Sequence, residues 1–311
     1  MKPIIRFDHV AKRYDGKTVI SGLNLTINEG EFFVIVGPSG SGKTTTMKMI
    51  NALVEPTDGN VYFNNRRIKD YDIRRLRHRI GYVLQQIALF PTMTVKQNIE
   101  LIPDILGWKK SERNRRSTEL LEMVGLSPQK YAHRYPHELS GGEQQRIGIL
   151  RAIAAKPDVL LMDEPFSALD PISRNALQEM VAEIHQKLGT TVVFVTHDMN
   201  EAMRLADRIA VMQNGKLQQA GTPEEIQTRP ANEFIRSFFQ STRTDYGKIS
   251  ELAALGLLPM SEAPLPEVSP EDGIETLFPL LSRHERVRVG KSGEIDSRLV
   301  FGYLHSRGGS S

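Results

Sequence analysis

One junction constrains this chain more than any other: the apolar run Glu31-Phe32-Phe33-Val34-Ile35-Val36 passes directly into Gly37-Pro38-Ser39-Gly40-Ser41-Gly42-Lys43-Thr44, and a helical segment follows. A run without alternation must be covered on both faces, as a strand of a parallel sheet sandwiched by helices is. Glycines at 37, 40 and 42 let successive backbone N–H groups turn toward one point, and the next helix adds the partial positive charge of its N-terminus. Lys43 then supplies a charge for β- and γ-phosphate oxygens, and the Thr44 hydroxyl is placed to ligate Mg²⁺. Gly37, Ser39, Gly40, Ser41, Gly42, Lys43, Thr44 and Thr45 are therefore the candidate nucleotide-binding residues.

The same logic extends along the chain. Asp158-Val159-Leu160-Leu161-Met162-Asp163 and Thr191-Val192-Val193-Phe194-Val195-Thr196 are further unbroken apolar runs. They predict an α/β fold with a P-loop core of mostly parallel sheet and covering helices. Residues 4–10 and 23–27 alternate apolar with polar, which predicts an antiparallel β layer with one solvated face. Helical spacing over 110–124 and 175–188, and a mostly helical stretch over 101–150, predict a helical subdomain projecting from the sheet.

A length of 311 residues with 40% apolar side chains fits one large domain and a smaller one. We place the first at 1–240. Past Phe239, Pro264, Pro266 and Pro270 fall in an acidic, serine-containing stretch, read as a linker over 241–270. The remainder, 271–311, is read as a small α/β tail: a helix over 271–281, then strands over 286–289 and 298–304 around Gly290 and Gly293.

Composition narrows the chemistry. There are no cysteines, which excludes disulfides, zinc-thiolate sites and thiol catalysis. Net charge is +3 with both signs interspersed, which gives no reason to expect nucleic acid as a partner. The beginning, Met1-Lys2-Pro3-Ile4-Ile5-Arg6, lacks the apolar stretch of a signal peptide, so the chain is not expected to be exported. The apolar runs fall far short of the ~20 residues that span a bilayer, so any membrane function needs another polypeptide.

Asp163 and Glu164 close an apolar strand, and their carboxylates emerge at the edge where open α/β sheets place ligands. One carboxylate can hold Mg²⁺ through water; the other can orient the attacking water. Leu139-Ser140-Gly141-Gly142-Glu143 precedes a helical run and can form an anion-binding nest, though taken alone the N-cap and turn is the favoured reading.

The order and spacing of these motifs resemble the ATP-binding subunits of ABC transporters over residues 1 to about 240. The resemblance implies ATP hydrolysis with Mg²⁺, in a head-to-tail homodimer where Ser140, Gly141 and Gly142 complete the opposite subunit's site. The glutamine usual after the two glycines is Glu143 here. Position by position, it further implies that Tyr14 stacks on adenine, Gln85 senses Mg²⁺ and the γ-phosphate, Asp170 in Ser167-Ala168-Leu169-Asp170 couples the two sites, and His197 touches the γ-phosphate. Asp163 and Thr44 are then assigned to the metal together with Gln85, and Glu164 to the attacking water. A P-loop kinase or GTPase would share Lys43 and Thr44 but has no use for residues 139–143 or Asp170.

Residues 79–91 and 228–235 are similar to the corresponding segments of quaternary amine importers, the osmoprotectant and glycine betaine type. That implies integral membrane permease subunits, a substrate-binding protein or domain, and a peripheral position on the cytoplasmic face of the cell membrane. Betaine, choline and carnitine are not separated, and an ABC ATPase for another substrate, or one acting on nucleic acid, is the alternative. The basic cluster Arg74, Arg75, Arg77, His78 and Arg79 is read as a solvated helix end. Residues 89–102 form either an ordinary buried loop or the groove that receives a permease helix. The tail resembles part of one CBS motif, where pairs are usual.

Overall fold

The unbroken apolar runs become parallel strands, and the alternating ones become an antiparallel layer. The computed structural model describes residues 2–167, 169–241, 248–261 and 263–308. The chain divides into two units, residues 1–168 with 180–242, and residues 169–179 with 243–311. In chain order the strands of the first unit are β1 (Pro3–Tyr14), β2 (Lys17–Asn28), β3 (Phe32–Val36), β4 (Asp58–Phe63), β5 (Arg66–Arg67), β6 (Ile80–Val83), β7 (Val159–Asp163), β8 (Thr191–Thr196), β9 (Arg208–Gln213) and β10 (Lys216–Gly221). One sheet has the order β10-β9-β3-β8-β7-β6, and only its β10–β9 pair is antiparallel. Every residue of β3, β7 and β8 is buried. The second sheet, β2-β1-β4-β5, is antiparallel throughout.

The helices are α1 (Lys43–Ile50), α2 (Ile73–His78), α3 (Val95–Ile105), α4 (Lys110–Met123), α5 (Pro128–Tyr131), α6 (Gly141–Ile153), α7 (Pro171–Leu188), α8 (Met199–Leu205), α9 (Pro223–Thr228) and α10 (Glu233–Ser241). Met47 and Ile50 of α1 are buried in one cluster with Phe7, Ile20 and Phe63 of the antiparallel layer and Ile35, Leu161 and Val195 of the parallel sheet. Each such side chain contributes roughly 1.5–3 kcal/mol through burial, so the helix that follows the glycine loop is clamped from both sides. The expected helical subdomain is α3 to α6, with Ile99, Leu120, Leu121, Ile147 and Leu150 buried. Of the basic cluster, Arg75, Arg77 and His78 lie in the last turn of α2 and Arg79 is its C-cap, with Arg74 in the first turn.

The second unit corrects three sequence expectations. Residues 241–270, read as a linker, contain a helix α11 (Ile249–Ala253) and a strand β11 (Glu267–Val268); residues 242–247 and 262 lie outside the described residues. Ile249, Leu252 and Val268 are buried in a cluster with Ile274, Leu277, Val287 and Ile295. The prolines misled because they flank β11 rather than interrupt it; the carbonyls of Pro266 and Pro270 accept from the N–H groups of Arg288 and Ser250. The helix expected over 271–281 is a 3₁₀ turn, Ile274–Thr276, followed by α12 (Leu277–Leu281). The strand expected over 298–304 is instead a helix, α13 (Ser297–Gly308), and the strands before it are β12 (Arg286–Val289) and β13 (Gly293–Asp296). Asp296 Oδ1 accepts from the Leu299 N–H at 3.0 Å, an N-cap bond, and Val300 and Tyr303 turn inward at helical spacing. The apolar character of 299–304 was real, but its period is that of a helix.

Candidate active site

Strand register assembles the site. Val36 lies beside Thr196, Asp163 beside Val195, and Val83 beside Met162, so β3, β8, β7 and β6 end in one row. The glycine loop, His197, Glu164 and Gln85 leave from that row, the C-terminal edge where α/β sheets bind ligands.

The loop's glycines are forced by close approach. A Cβ at Gly37 would run into the Met212 carbonyl oxygen, and one at Gly42, which has φ of 97°, would run into the Ile20 side chain. The Ser41 N–H donates to the Pro38 carbonyl at 3.2 Å, and the Thr46 N–H donates to the Gly42 carbonyl at 2.9 Å, which joins the loop to α1. Lys43 is buried, and its Nζ donates to the carbonyls of Gly37 (2.8 Å) and Pro38 (3.0 Å). Burial lowers its pKa, while Glu164 and Asp163 act to raise it. A cavity of about 240 Å³ opens over Ser39, Gly40, Gly42, Lys43, Thr44 and Thr45, with Glu164 also lining it.

Asp163 and Glu164 diverge. Asp163 is buried, and its Oδ1 accepts the Thr44 hydroxyl at 2.8 Å. Burial pushes its carboxyl up, against the pull of that hydroxyl and of Lys48 and Lys43. Glu164 has φ of 43°, a left-handed conformation that costs a non-glycine residue roughly 1–3 kcal/mol. Its N–H donates to the Val195 carbonyl at 3.0 Å, and Nδ1 of His197 lies 3.2 Å from its Oε2. The kink turns one carboxylate to Thr44 and the next to the cavity.

These residues fit a magnesium-bound nucleotide. The Thr44 hydroxyl and Asp163 form a hard-oxygen pair suited to Mg²⁺. The buried Ser41 hydroxyl has no hydrogen-bond partner among the described residues, which leaves a donor in the loop for an anion. No cluster of three or more His, Cys, Asp or Glu suited to a metal occurs among the described residues, so a cation here would complete its shell with water and phosphate oxygens.

The other expected residues fall as follows. Gln85 is exposed just beyond β6, on the same edge; the bonds at Asp163 and Glu164 are made by Thr44 and His197. Tyr14 ends β1 with 45% of its surface exposed, and Lys12 Nζ lies 4.7 Å from its ring centroid. Ser140 caps α6: its Oγ accepts the Glu143 N–H (3.3 Å) and Glu143 Oε2 accepts the Ser140 N–H (2.8 Å), a capping box. Gly141 and Gly142 open the helix, and a Cβ at Gly141 would meet nothing within 4 Å. Asp170 belongs to the other unit, where its Oδ1 accepts the Ser173 N–H at 2.8 Å at the start of α7. Ala168 lies outside the described residues.

Sequence reasoning passed over two tyrosines. Tyr82 has a buried hydroxyl, and burial together with the neighbouring Asp163 pushes its phenol up to about 12. It pairs with Leu161, two residues before Asp163 on the same face of β7, a relation visible only once register is known. Tyr131 donates its hydroxyl to Glu143 Oε1 at 2.7 Å, across a turn of unguessable path.

Residues 20–167 match the ABC transporter family. The chain is 52% identical over 241 residues to the glycine betaine/carnitine/choline transport ATP-binding protein OpuCA of Bacillus subtilis, covering 77% of this chain and 63% of that one. It is 48% identical over 236 residues to the glycine betaine uptake system ATP-binding protein YehX of Escherichia coli, covering 76% of each. Among solved structures it is similar to the ATP-binding cassette MJ0796 in a dimeric post-hydrolysis state bound to ADP and Pi, with a TM-score of 0.62 and 36% identity over 71% of this chain and 99% of that one. The chain spans 60–67% of the length of the first curated relatives it matches.

Proposed function

The chain belongs to the ABC transporter family of ATP-binding proteins, and from that premise we propose that it binds and hydrolyses ATP to drive uptake of a quaternary amine such as glycine betaine, choline or carnitine. The observation that carries the ATPase reading is Glu164, which lines the cavity together with Lys43 and Thr44 and is held by His197. The substrate class follows from relatives named for transport of those compounds.

In this reading the loop N–H groups, Ser41 and Lys43 bind the phosphates, and Tyr14 offers its exposed ring to the adenine. Thr44 and Asp163, with Gln85, would hold Mg²⁺, which when bound neutralises charge on the transferring phosphoryl group. Glu164 orients the attacking water and polarises its O–H. His197 holds the Glu164 carboxylate from the neighbouring strand and reaches the γ-phosphate. Ser140 and the first N–H groups of α6 serve the nucleotide of a second subunit, and Asp170 couples the two sites. Gly141 supports this: nothing among the described residues demands a glycine there, whereas close approach of a partner's phosphate would.

No helix among the described residues is long and apolar enough to cross a membrane, so the partners of this reading are permease subunits and a substrate-binding protein, with the chain peripheral on the cytoplasmic face. Phe90 is exposed although its N–H donates to Asn98 Oδ1 of α3, and Leu84 and Ile87 shortly before it in the chain are exposed as well, which favours the permease-groove reading of residues 89–102 over a buried loop. The tail is kept as a partial CBS-like unit, present in two copies in a dimer. Co-purification with its permease and reconstitution into vesicles tests the whole reading. ATP hydrolysis stimulated by glycine betaine, choline or carnitine with the binding protein is expected. Hydrolysis indifferent to all three would remove the substrate class, and hydrolysis stimulated by DNA or RNA instead would favour the nucleic-acid alternative.

A further inference from the structure

The segment that would receive a partner's triphosphate carries a negative charge of its own. Glu143 is the third residue of α6, one turn from Ser140 and Gly141. A free carboxylate there would repel phosphate oxygens, and the repulsion is strong in a site that excludes water.

Both oxygens of that carboxylate are engaged on the chain's own side. Oε2 accepts the Ser140 N–H, which completes the capping box. Oε1 accepts the Tyr131 hydroxyl at 2.7 Å. A capping box needs only the first of these bonds, so Tyr131 does something more. It is the last residue of α5, and its ring is flanked by Arg134, whose guanidinium carbon lies 4.8 Å from the ring centroid. Burial acts to raise the Glu143 pKa, but the Ser140 N–H, the Tyr131 hydroxyl and Arg134 outweigh it and hold the group below the usual carboxylate range. The side chain is therefore an anion at neutral pH, tied down at two points.

We propose that Tyr131 is a positioning residue for the composite ATP site: its hydroxyl draws the Glu143 carboxylate toward α5, leaving Ser140 and the first N–H groups of α6 turned to the partner's nucleotide. The inference rests on the dimeric reading given above. It makes the role of Tyr131 dependent on charge, because a glutamine at 143 can complete the capping box without repelling phosphate.

The test is a double-mutant cycle in the full-length chain, with Tyr131→Phe and Glu143→Gln made singly and together. Turnover and nucleotide affinity are measured for each, and thermal melting checks that each variant is folded. Tyr131→Phe should lower kcat about tenfold, the scale of coupling between contacting groups, with monomer nucleotide affinity changed less than about twofold. In the Glu143→Gln background the same substitution should change kcat less than about twofold. Equal losses in both backgrounds would make Tyr131 a simple anchor for α5 and overturn the proposal, as would no loss in either. Glu164→Gln with Tyr131 intact serves as the control: if Mg-ATP traps no dimer of it, the composite site itself fails, and the positioning role falls with it for that separate reason.

Discussion

His197 Nδ1 and Glu164 Oε2 lie 3.2 Å apart at the ends of adjacent parallel strands, and the contact exists because Glu164 adopts a left-handed backbone that swings its carboxylate away from Asp163. Glutamine has the same shape and can take the same backbone, but it cannot polarise a water. Glu164→Gln should lower kcat on the order of 10²- to 10⁴-fold, the usual contribution of a positioned base, with ATP affinity within about twofold. Size measurement with Mg-ATP should show a trapped dimer. Full turnover in this variant would take Glu164 out of the reaction.

Lys43 and Ser140 should separate the two halves of the composite site. Lys43→Ala removes the buried charge beside the loop and should weaken nucleotide binding at least about tenfold in the isolated chain, as loss of a charge-assisted contact does. Ser140→Arg should abolish turnover while leaving monomer affinity unchanged, because no described contact joins Ser140 to the loop of its own chain. Titration of both variants with a fluorescent ATP analogue decides; comparable losses of affinity would contradict the trans arrangement.

Much of this site was legible because its residues sit at ends of unbroken apolar runs. Asp163 ends, and Lys43, Glu164 and His197 follow, strands whose burial on both faces could be read directly, and parallel strands must end on one edge. Tyr82 and Tyr131 were not legible, since the first acts through strand register and the second through the path of a turn. The tail misled for a different reason: residues 299–304 are apolar and β-prone, and the Asp296 cap that makes them helical is a single hydrogen bond in a short unit.

Glu294 gives the tail a pH dependence. It is fully buried on β13, and the Ser261 N–H and hydroxyl, together with Arg286, hold its pKa below the usual carboxylate range. A depressed folded pKa contributes stability above the unfolded value of about 4.3, and that contribution is lost as pH falls through the folded value. The Ser261 and Leu258 amides, both bonded to Glu294, should therefore exchange faster as pH drops below about 4.3, after correction for intrinsic rates. Glu294→Gln should flatten this profile, and an unchanged profile would show that other groups control the tail.

Truncation tests what the tail covers. Within the second unit, Ile172 near the start of α7 is 7% exposed in the tail's cluster, and Arg283 reaches Glu179 of the same helix at 2.9 Å. Ending the chain at about residue 245 would therefore return Ile172 to water, a loss of roughly 1.5–3 kcal/mol of burial, and would take Arg283 from Glu179. The truncated chain should melt roughly 5 °C lower and self-associate more through the uncovered face. Ile172→Glu should restore its solubility, because a carboxylate is favoured in the first turn of a helix. ATP hydrolysis should persist, since Lys43, Thr44, Asp163, Glu164 and His197 all belong to the first unit. If two tails pair in the dimer, truncated Ile172→Glu, whose uncovered face no longer self-associates, should dimerise more weakly than the full chain when measured without nucleotide. A truncated chain with unchanged melting and unchanged nucleotide-free association would show that the tail neither protects α7 nor joins two subunits.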